Sequence, residues 1–413
     1  MQAVILSIGT ELVSGLALDT HSAEISRALV ALGIEVVRHE TLDDDAAAVA
    51  AALRRAGDQV DLVVATGGLG PTLDDCTRDG IARAMGVPLE QDAAALAHLE
   101  AWAKARGRTA GGSNLVQTML PRGGRTLPNP IGTALGIEAS VGRARVFAMP
   151  GVPAEMRRML AEQVLPRLEA GQGGRVTRVR TVRTFGLGES LVGEKLADLM
   201  ARGRRPRVGT AVHHGMIDIH IYATGAPGEV DALLAADAAT VRARLGTIVF
   251  GEGDDRMEHA VASLAASRRT TIALAESCTG GEIASRLVNV PGISDWLLEG
   301  VVAYSNESKV RTLGVPADLI ARHGAVSEQV VRAMAEGVRA RSGAAVAVAV
   351  TGIAGPGGGS PERPVGTVWV ALADARGTVA ALEVFTGDRK LIRDRAANYA
   401  LNMVRLRLLE AEG

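Results

Sequence analysis

The sequence predicts an α/β protein in which a small α+β domain joins two α/β sheet domains. Strand and helix patterns alternate over about the first 150 residues, and the alternation returns from about residue 256. The segment between them reads as fewer, strongly alternating strands with two helices. A chain of 413 residues is long enough for two or three domains. The predicted domains are residues 1–167, 168–254 and 255–413.

The composition excludes several classes of function. The chain has 45 Lys and Arg against 46 Asp and Glu, so we do not expect direct nucleic-acid binding. No apolar run reaches the ~18 residues that cross a membrane, and the start lacks a signal-peptide pattern, so we expect a soluble, cytoplasmic protein. Cys76 and Cys278 have neither metal-binding nor disulfide spacing.

The first domain is predicted to hold a parallel sheet with helices on both faces. Its strands are continuous apolar runs, and its helices repeat apolar residues at helical spacing. The predicted strands are "AVILSIG", "IEVVRHETL", "DLVVATGG" and "ARVFAMPG". The predicted helices are "THSAEISRALVALG", "DDAAAVAAALRRAG" and a third that follows "TGGLGPT" and has Asp74 and Asp75 in its first turn.

The middle segment begins with a glycine-rich, basic link, "GQGGRVTRV", and is predicted to be α+β. In "RVGTAVHHGMIDIHIYATG" the alternation places Ile217, Ile219 and Ile221 on one face of a strand. The helices are predicted in "GESLVGEKLADLM" and "EVDALLAADAATVRARLG".

The last domain again alternates strands and helices. Its predicted strands are "TTIALAES", "GVVAYSN", "AAVAVAVTG", "VGTVWVALAD" and "TVAALEVFTG". Its predicted helices include "GGEIASRLVNV", "SEQVVRAMAEGVRARSG" and a final helix. The final helix is predicted to bury one stripe, formed by Ile392, Ala396, Tyr399, Met403 and Leu406.

The glycine-rich loop "TGGLGPTLDDCT" is the main candidate site of the first domain. Its glycines let the backbone approach a ligand, and the following helix start offers N–H groups to an anion. Asp74 and Asp75 either complement the helix dipole or, beside a phosphate, bind a divalent cation. Glu11 follows the first strand and is expected at the same sheet edge. Asp44 is read as a helix cap or as a further polar group of this site.

The hexapeptide "ESCTGG" is the main candidate site of the last domain. Ser277 there is either a nucleophile or a helix cap, and nearby N–H groups are expected to stabilise an oxyanion. A serine nucleophile needs a base, and a buried lysine can lose its proton, whereas arginine cannot. We therefore predict Ser277 as nucleophile, Lys309 as base and Tyr304 as a proton relay or orienting hydroxyl. Cys278 is expected to be a small buried residue.

A second glycine-rich loop occurs in "AVTGIAGPGGGSPERPVGTVWVAL". It is read either as a phosphate cradle made of backbone N–H groups or as a flexible turn between strands. Arg363 and Arg389 are candidates to add positive charge to a bound phosphate. His323 is expected at a helix end.

Four blocks of the first domain resemble the molybdopterin-binding domain that molybdenum-cofactor biosynthesis proteins share with the CinA family. They are "GTELVSG", "TGGLGPTLDD", "NPIGTALG" and "MPGVPAEM". In CinA proteins this domain is associated with metal-dependent ADP-ribose pyrophosphatase activity. The resemblance implies a divalent metal (Mg, Mn or Co) as cofactor. It implies phosphate binding by Gly67, Gly68, Gly70 and Thr72 and metal binding by Asp74, Asp75 and Glu11. His21 and Leu135 depart from the family's usual Asn and Pro.

Five blocks of the last domain resemble the CinA C-terminal domain, the PncC-type nicotinamide mononucleotide deamidase. They are "AESCTGG", "PGISDWLLEGVVAYSNESK", "GAVSE", "TGIAGPGGGSPERPVGTV" and "FTGDR". The resemblance implies amide hydrolysis without a cofactor by Ser277, Tyr304 and Lys309. It implies substrate binding by Thr279, Gly280, Gly281, Gly352, Gly355, Gly357 and Arg389. The middle domain resembles the KH-like domain of CinA proteins but lacks a GXXG loop, and a role in homodimer assembly is expected.

Together these features predict a bifunctional enzyme that acts on nicotinamide mononucleotide and on ADP-ribose. Two alternatives stay open at this stage. One is an enzyme that binds a molybdopterin-type cofactor, and the other is a non-enzymatic scaffold in competence or DNA repair.

Overall fold

The computed structural model describes residues 1–107, 109, 111–169, 174, 176–213 and 215–410. Of the predicted glycine-rich link, residues 171–173 and 175 lie outside the described residues, whereas residues 176–179 belong to a strand, which corrects the prediction. By spatial contacts the chain divides into two compact units, one made of residues 1–178 and 222–234 and the other of residues 179–221 and 235–413. No helix within the described ranges is both long enough and apolar enough to cross a membrane.

The N-terminal part alternates strands and helices, as predicted. The strands are β1 (Gln2–Ile8), β2 (Glu35–Leu42), β3 (Leu62–Thr66), β4 (Leu89–Gln91), β5 (Met119–Pro121), β6 (Arg125–Leu127), β7 (Gly136–Val141) and β8 (Ala144–Met149). The helices are α1 (Thr10–Val13), α2 (His21–Ala31), α3 (Ala46–Gln59), α4 (Thr77–Met85), α5 (Ala93–Lys104), α6 (Pro153–Met159) and α7 (Leu165–Glu169). A 3₁₀ helix spans Gly112–Thr118, and a π-helical turn spans Leu160–Val164.

The main N-terminal sheet has the order β2-β1-β3-β8-β7-β6 and is mixed, which corrects the prediction of a parallel sheet. β2, β1, β3 and β8 pair in parallel. β7 pairs antiparallel with both of its neighbours, β8 and β6. β7 and β8 are joined by a two-residue turn in which Gly142 has φ 58°. So short a connection can only join antiparallel strands. Alternate residues of the sheet enter two apolar cores, one on each face, as predicted.

The middle part contains the two predicted helices and the predicted alternating stretch, which forms two strands, together with two strands that were not predicted. Its strands are β9 (Val176–Phe185), β10 (Arg207–His213), β11 (Met216–Gly225) and β12 (Val249–Glu252), in the sheet order β10-β11-β9-β12. Its helices are α8 (Glu189–Lys195) and α9 (Pro227–Leu245). Ile217, Ile219 and Ile221 are buried, which confirms the predicted face of β11.

The C-terminal part contains five strands and six helices among the described residues. The strands are β13 (Ile272–Glu276), β14 (Leu297–Val302), β15 (Val346–Gly352), β16 (Thr367–Asp374) and β17 (Gly377–Val384). The helices are α10 (Met257–Arg268), α11 (Glu282–Val288), α12 (Asn306–Leu313), α13 (Ala317–His323), α14 (Glu328–Ser342) and α15 (Arg389–Leu409). The sheet order is β14-β13-β15-β16-β17. The first three strands pair in parallel, and β16 pairs antiparallel with both β15 and β17.

The two faces of the C-terminal sheet carry side chains of different size. One face presents Val, Ile and Leu to α15 and its neighbours, and the other presents alanines, such as Ala273 and Ala347, to α14. Small side chains let that helix pack close to the strands. The prediction of one buried stripe on α15 was wrong, because the helix is buried on most of its circumference: Ala397, Asn398 and Leu401 are buried, whereas Tyr399 is only half-buried.

Candidate active sites

Ser277 and Lys309 come together at the carboxyl edge of the C-terminal sheet. β13 ends at Glu276, so Ser277 is the first residue after it, and the parallel neighbour β14 leads to α12. Ser305 caps α12 by accepting a hydrogen bond from the Ser308 N–H at 3.1 Å, which fixes the helix start. Lys309 lies in the first turn of α12, and its side chain is only 1% exposed.

The Lys309 amine lies 3.0 Å from Ser277 Oγ. Its Nζ also donates to the carbonyl oxygens of Ala303 at 3.0 Å and of Tyr304 at 3.2 Å. Burial lowers the pKa of Lys309. A neutral amine has two N–H bonds and one lone pair. The two carbonyl groups take the N–H bonds, which leaves the lone pair for the Ser277 hydroxyl proton.

The turn after Ser277 is built around the buried carboxylate of Glu276. This carboxylate accepts hydrogen bonds from the N–H groups of Gly281 at 2.9 Å, Ile283 at 3.2 Å and Ala284 at 2.9 Å, so it caps α11. The Gly280 N–H donates to the Ser277 carbonyl. The two glycine N–H groups are therefore already used, and only those of Cys278 and Thr279 have no partner within the described part of the chain.

A pocket of about 280 Å³ opens above the pair. Predicted residues Gly352, Gly355, Gly357 and Arg389 line it, together with Ser277, Lys309 and Tyr304. The predicted Thr279, Gly280 and Gly281 are not part of its lining. These glycines have φ of 62° and 92°, so they serve to turn the chain into α11, and Thr279 is fully buried.

Tyr304 lines the pocket, and its hydroxyl is paired with Arg389. Its ring is 60% exposed, and its hydroxyl accepts a hydrogen bond from Arg389 Nη2 at 2.9 Å. Arg389 Nη1 also donates to the Gly355 carbonyl at 2.7 Å. Across the described ranges no hydrogen bond joins the Tyr304 hydroxyl to Ser277 or Lys309, although Tyr304 lines the pocket. Its role as a proton relay or orienting hydroxyl stays a prediction.

Three further predictions concern neighbours of this site. Cys278 is buried in the core, as predicted, and burial raises the pKa of its thiol to about 12. His323 ends α13, and its carbonyl accepts a hydrogen bond from Arg363. Arg363 is not part of the pocket lining, so its predicted contact with a phosphate is not supported by its position.

Sequence reasoning missed two polar residues of the pocket. Asn306 is the first residue of α12 and lines the pocket. Thr351, near the end of β15, lines it too, and its buried hydroxyl donates to the Ala325 carbonyl at 2.9 Å. The sequence signal for Thr351 is its position near the end of a buried strand, directly before the second glycine-rich loop.

A second pocket, of about 360 Å³, lies at the carboxyl edge of the N-terminal sheet. Predicted residues Gly67, Gly68, Gly70, Asp74, Asp75 and Glu11 all line it. Thr72 is not part of the lining, and its N–H and hydroxyl groups both donate to Asp75. The structure therefore brings most of the predicted residues of this domain to one place.

The glycines of this loop are required by close backbone approach. A Cβ on Gly67, whose φ is 101°, would collide with the Ile8 carbonyl oxygen, and one on Gly68, whose φ is 63°, would collide with the Thr77 hydroxyl. The Gly67 N–H donates to the Met149 carbonyl, and the Gly70 N–H donates to Asp75. Between these glycines, among the described residues, the N–H groups of Gly68 and Leu69 have no partner and can meet an anion.

The two aspartates do not lie in the first turn of α4, because that helix begins at Thr77. Asp75 instead closes the loop by accepting hydrogen bonds from the N–H groups of Gly70 at 2.6 Å and Thr72 at 2.8 Å. Asp74 is exposed at the pocket, where a hydrogen bond with Thr72 lowers the pKa of its carboxyl.

For Asp44 the sequence predicts either a helix cap or a further polar group of the N-terminal pocket. The cap of α3 is its neighbour Asp45, which accepts a hydrogen bond from the Ala47 N–H. Asp44 lines the pocket and accepts a hydrogen bond from the Thr10 N–H at 2.8 Å. His21, which departs from the family pattern, has its Nδ1 3.2 Å from the Thr66 hydroxyl.

The predicted metal ligands fit a metal only in part. Within the ranges described, no group of three His, Cys, Asp or Glu side chains is placed to hold an ion. Asp75 is committed to the loop, whereas Glu11 and Asp74 face the pocket. Mg²⁺ is commonly held by one or two carboxylates together with substrate phosphates. These side chains therefore suit a metal that a diphosphate also coordinates. They do not form a complete coordination shell from protein side chains alone.

The fold and the sites define a chain with two α/β sheet domains, one of which carries a buried serine–lysine pair at the ends of parallel strands. Three family models match it: a probable molybdopterin-binding domain over residues 4–170, the CinA KH domain over 179–251 and the CinA C-terminal domain over 254–408. The chain belongs to the CinA family.

Curated relatives match over nearly the full length. A putative competence-damage inducible protein of Symbiobacterium thermophilum is 45% identical, with 99% of each chain covered. A CinA-like protein of Gemmatimonas aurantiaca is 45% identical, covering 98% of this chain and 96% of the relative. Among solved structures, the competence/damage inducible protein CihA of Agrobacterium tumefaciens is 38% identical and covers 37% of this chain and 93% of its own, with a TM-score of 0.36.

Proposed function

We propose that the C-terminal domain hydrolyses the carboxamide of nicotinamide mononucleotide to nicotinate mononucleotide and ammonia. The observation that carries this proposal is the 3.0 Å approach of the buried Lys309 amine to the Ser277 hydroxyl. A serine activated by an adjacent base performs acyl transfer, and a carboxamide is an acyl donor. The resemblance of the surrounding motifs to nicotinamide mononucleotide deamidases supplies the substrate.

In the proposed reaction, Ser277 Oγ bonds to the carboxamide carbon while the neutral Lys309 amine takes the hydroxyl proton. The carbonyl oxygen becomes an oxyanion, which the N–H group of Cys278, a residue of the pocket lining, stabilises. The C–N bond then breaks, and Lys309 returns its proton to the leaving nitrogen, so ammonia departs. Water attacks the acyl-enzyme and gives a proton to Lys309. Lys309 then returns this proton to Ser277 Oγ as the acyl C–O bond to the serine breaks, and the new carboxyl group loses its remaining proton to the solvent as nicotinate mononucleotide is released.

Ammonia release by the purified full chain tests this proposal. We expect Ser277→Ala and Lys309→Met each to lower the rate roughly a thousandfold or more. Ser308→Ala is the matched control, because Ser308 neighbours Lys309 but is not part of the pocket lining. If the wild type released no ammonia, or Ser277→Ala kept full activity, the proposal would be wrong.

We propose a second activity for the N-terminal domain, the divalent-metal-dependent hydrolysis of the diphosphate of ADP-ribose. The observation that favours it is the pocket, in which glycine-loop N–H groups lie beside carboxylates. Five of those carboxylates line the pocket: Glu11, Asp44, Asp74, Asp75 and Glu155. The pocket lining contains no basic side chain, so a diphosphate needs an accompanying cation. A bound metal would neutralise the phosphate charge, and Glu11 and Asp74 are the residues that would hold it.

AMP release from ADP-ribose, with Mg²⁺, Mn²⁺, Co²⁺ or no metal, tests the second proposal. Asp74→Asn is expected to slow it at least tenfold, whereas Asp79→Asn, outside the pocket lining, is expected to leave it unchanged. Pterin binding without turnover of ADP-ribose would instead favour the molybdopterin alternative. A chain that performs neither hydrolysis would favour the scaffold.

A further inference from the structure

Gln117 is a buried polar residue of the N-terminal pocket that the proposed reaction does not use. It lies in the last turn of the 3₁₀ helix Gly112–Thr118 and lines the pocket that also contains the glycine loop. Its side chain is only 5% exposed. Its Oε1 is buried and accepts no hydrogen bond from any described residue. Native proteins rarely leave such an acceptor unpaired, since the cost is ~1–3 kcal/mol.

Thr118, the neighbour of Gln117 in sequence, and Asn129, beside the pocket, are polar residues that already have partners. The Thr118 hydroxyl donates to the Leu115 carbonyl at 2.7 Å and accepts a hydrogen bond from Gln91 Nε2 at 3.2 Å. Asn129, on the loop that borders the pocket, donates to Glu155 at 2.7 Å and to the Ala134 carbonyl at 2.8 Å. The unpaired acceptor of Gln117 is therefore a feature of the pocket itself.

The charged side chains of the pocket supply no hydrogen-bond donors. Among the lining residues the charged side chains are all carboxylates, which only accept hydrogen bonds when ionised. Gln117 and Thr133 are the uncharged polar side chains of the lining. The buried Gln117 Oε1 can be satisfied only by a hydrogen-bond donor, and the diphosphate of ADP-ribose has none.

We infer that Gln117 is a specificity-determining residue of the N-terminal pocket, whose Oε1 accepts a hydrogen bond from a hydroxyl or amino group on the non-phosphate part of the ligand. This inference rests on the proposed ADP-ribose activity and deepens it. In ADP-ribose the donor is a hydroxyl of either ribose or the adenine amino group. A site with a buried polar group discriminates strongly against analogues that leave the group unpaired.

The test compares the full-length wild type with Gln117→Met, which keeps the length of the side chain and removes the amide. Calorimetric titration in the presence of Mg²⁺ measures the affinity for ADP-ribose, for ADP and for inorganic pyrophosphate. Gln91→Met is the matched control, because the Gln91 amide has a partner and is not part of the pocket lining. Thermal unfolding of each free protein is recorded alongside.

We expect Gln117→Met to bind ADP-ribose at least about tenfold more weakly and to bind pyrophosphate as the wild type does. Weakened binding of ADP-ribose alone assigns the donor to the terminal ribose, and weakened binding of ADP as well assigns it to the adenosine part. The unfolding temperature of the free variant is expected to be unchanged or higher, since an unpaired buried group is removed.

Three results would overturn the inference. Equal weakening of all three ligands, or a clear fall in the unfolding temperature of Gln117→Met, would show that the residue supports the fold. Unchanged binding of ADP-ribose would show that the ligand does not contact the amide. If the wild type itself bound no ADP-ribose, the proposed N-terminal function would fail, and this inference would fall with it.

Discussion

At the scale of single residues, the C-terminal site depends on the charge state of one amine. Lys309 is buried with two carbonyl acceptors and the Ser277 hydroxyl, and the described chain places no carboxylate in an ion pair with it. Burial without an anionic partner favours the neutral form, which is the form that a general base needs. Cys278, next to the nucleophile, shows the converse case, because burial raises the pKa of its thiol and keeps it protonated and inert.

The lowered pKa of Lys309 predicts the pH dependence of amide hydrolysis. The base works when it is neutral, so kcat/KM should rise with pH as Lys309 loses its proton and should fall as pH drops through its pKa. Because burial lowers that pKa, the rising limb should lie below the ordinary lysine value of about 10.4. Initial rates of ammonia release between pH 6 and 10.5 measure it. A rate that does not change over this range would contradict the role of Lys309.

At the scale of elements, both sites are built where a buried strand turns into a helix. After β13, Glu276 accepts hydrogen bonds from the N–H groups at the start of α11 and so holds the turn that carries Ser277. After β3, Asp75 closes the glycine loop, and the buried Arg78 donates to the Gly70 carbonyl at 3.1 Å. In each case a charged side chain pairs with backbone groups and is not available for chemistry.

Removal of the Glu276 carboxylate should loosen the start of α11. In Glu276→Ala the three N–H groups that it caps lose their acceptor, at a cost of ~1–3 kcal/mol each. Amide hydrogen exchange in the segment 277–288 is expected to speed up at least tenfold, and ammonia release is expected to fall. Glu282→Ala, which removes a half-buried carboxylate from the same helix without uncapping it, is the control. Unchanged exchange in Glu276→Ala would contradict this account of the turn.

At the scale of the whole molecule, the two candidate sites lie in different compact units and share no residues. The C-terminal site uses the ends of β13, β14 and β15, whereas the N-terminal site uses the ends of β1, β3 and β8. Each sheet supplies its own apolar cores on both faces. Damage to one site is therefore expected to spare the other.

Gly67→Ala tests this independence. The added methyl group collides with the Ile8 carbonyl in a backbone conformation with φ 101°, so ADP-ribose turnover should fall more than tenfold while ammonia release stays within about twofold of the wild type. Gly107→Ala is the control, since Gly107 also has positive φ but its Cβ would meet open space. Parallel loss of both activities in Gly67→Ala would show that the sites are coupled.

The sequence by itself determined the alternation of elements, the cores on both faces of the sheets and the strand ends at which Ser277, Lys309 and the glycine loop would lie. Periodicity and strand-end position are local properties, so one stretch of sequence is enough to reveal them. The glycine loop could be singled out because close backbone approach demands glycine there.

Only the tertiary structure decided which polar groups remain available. The N–H groups of Gly280 and Gly281 face Glu276 and Ser277, Asp75 is bound to its own loop, and Tyr304 pairs with Arg389. It also decided that each main sheet has antiparallel pairs at one edge and that Gln117 lies at a pocket with its acceptor unpaired. Hydrogen-bond partners are chosen by distance in space, and residues remote in the sequence compete for them, so no local pattern reveals the outcome.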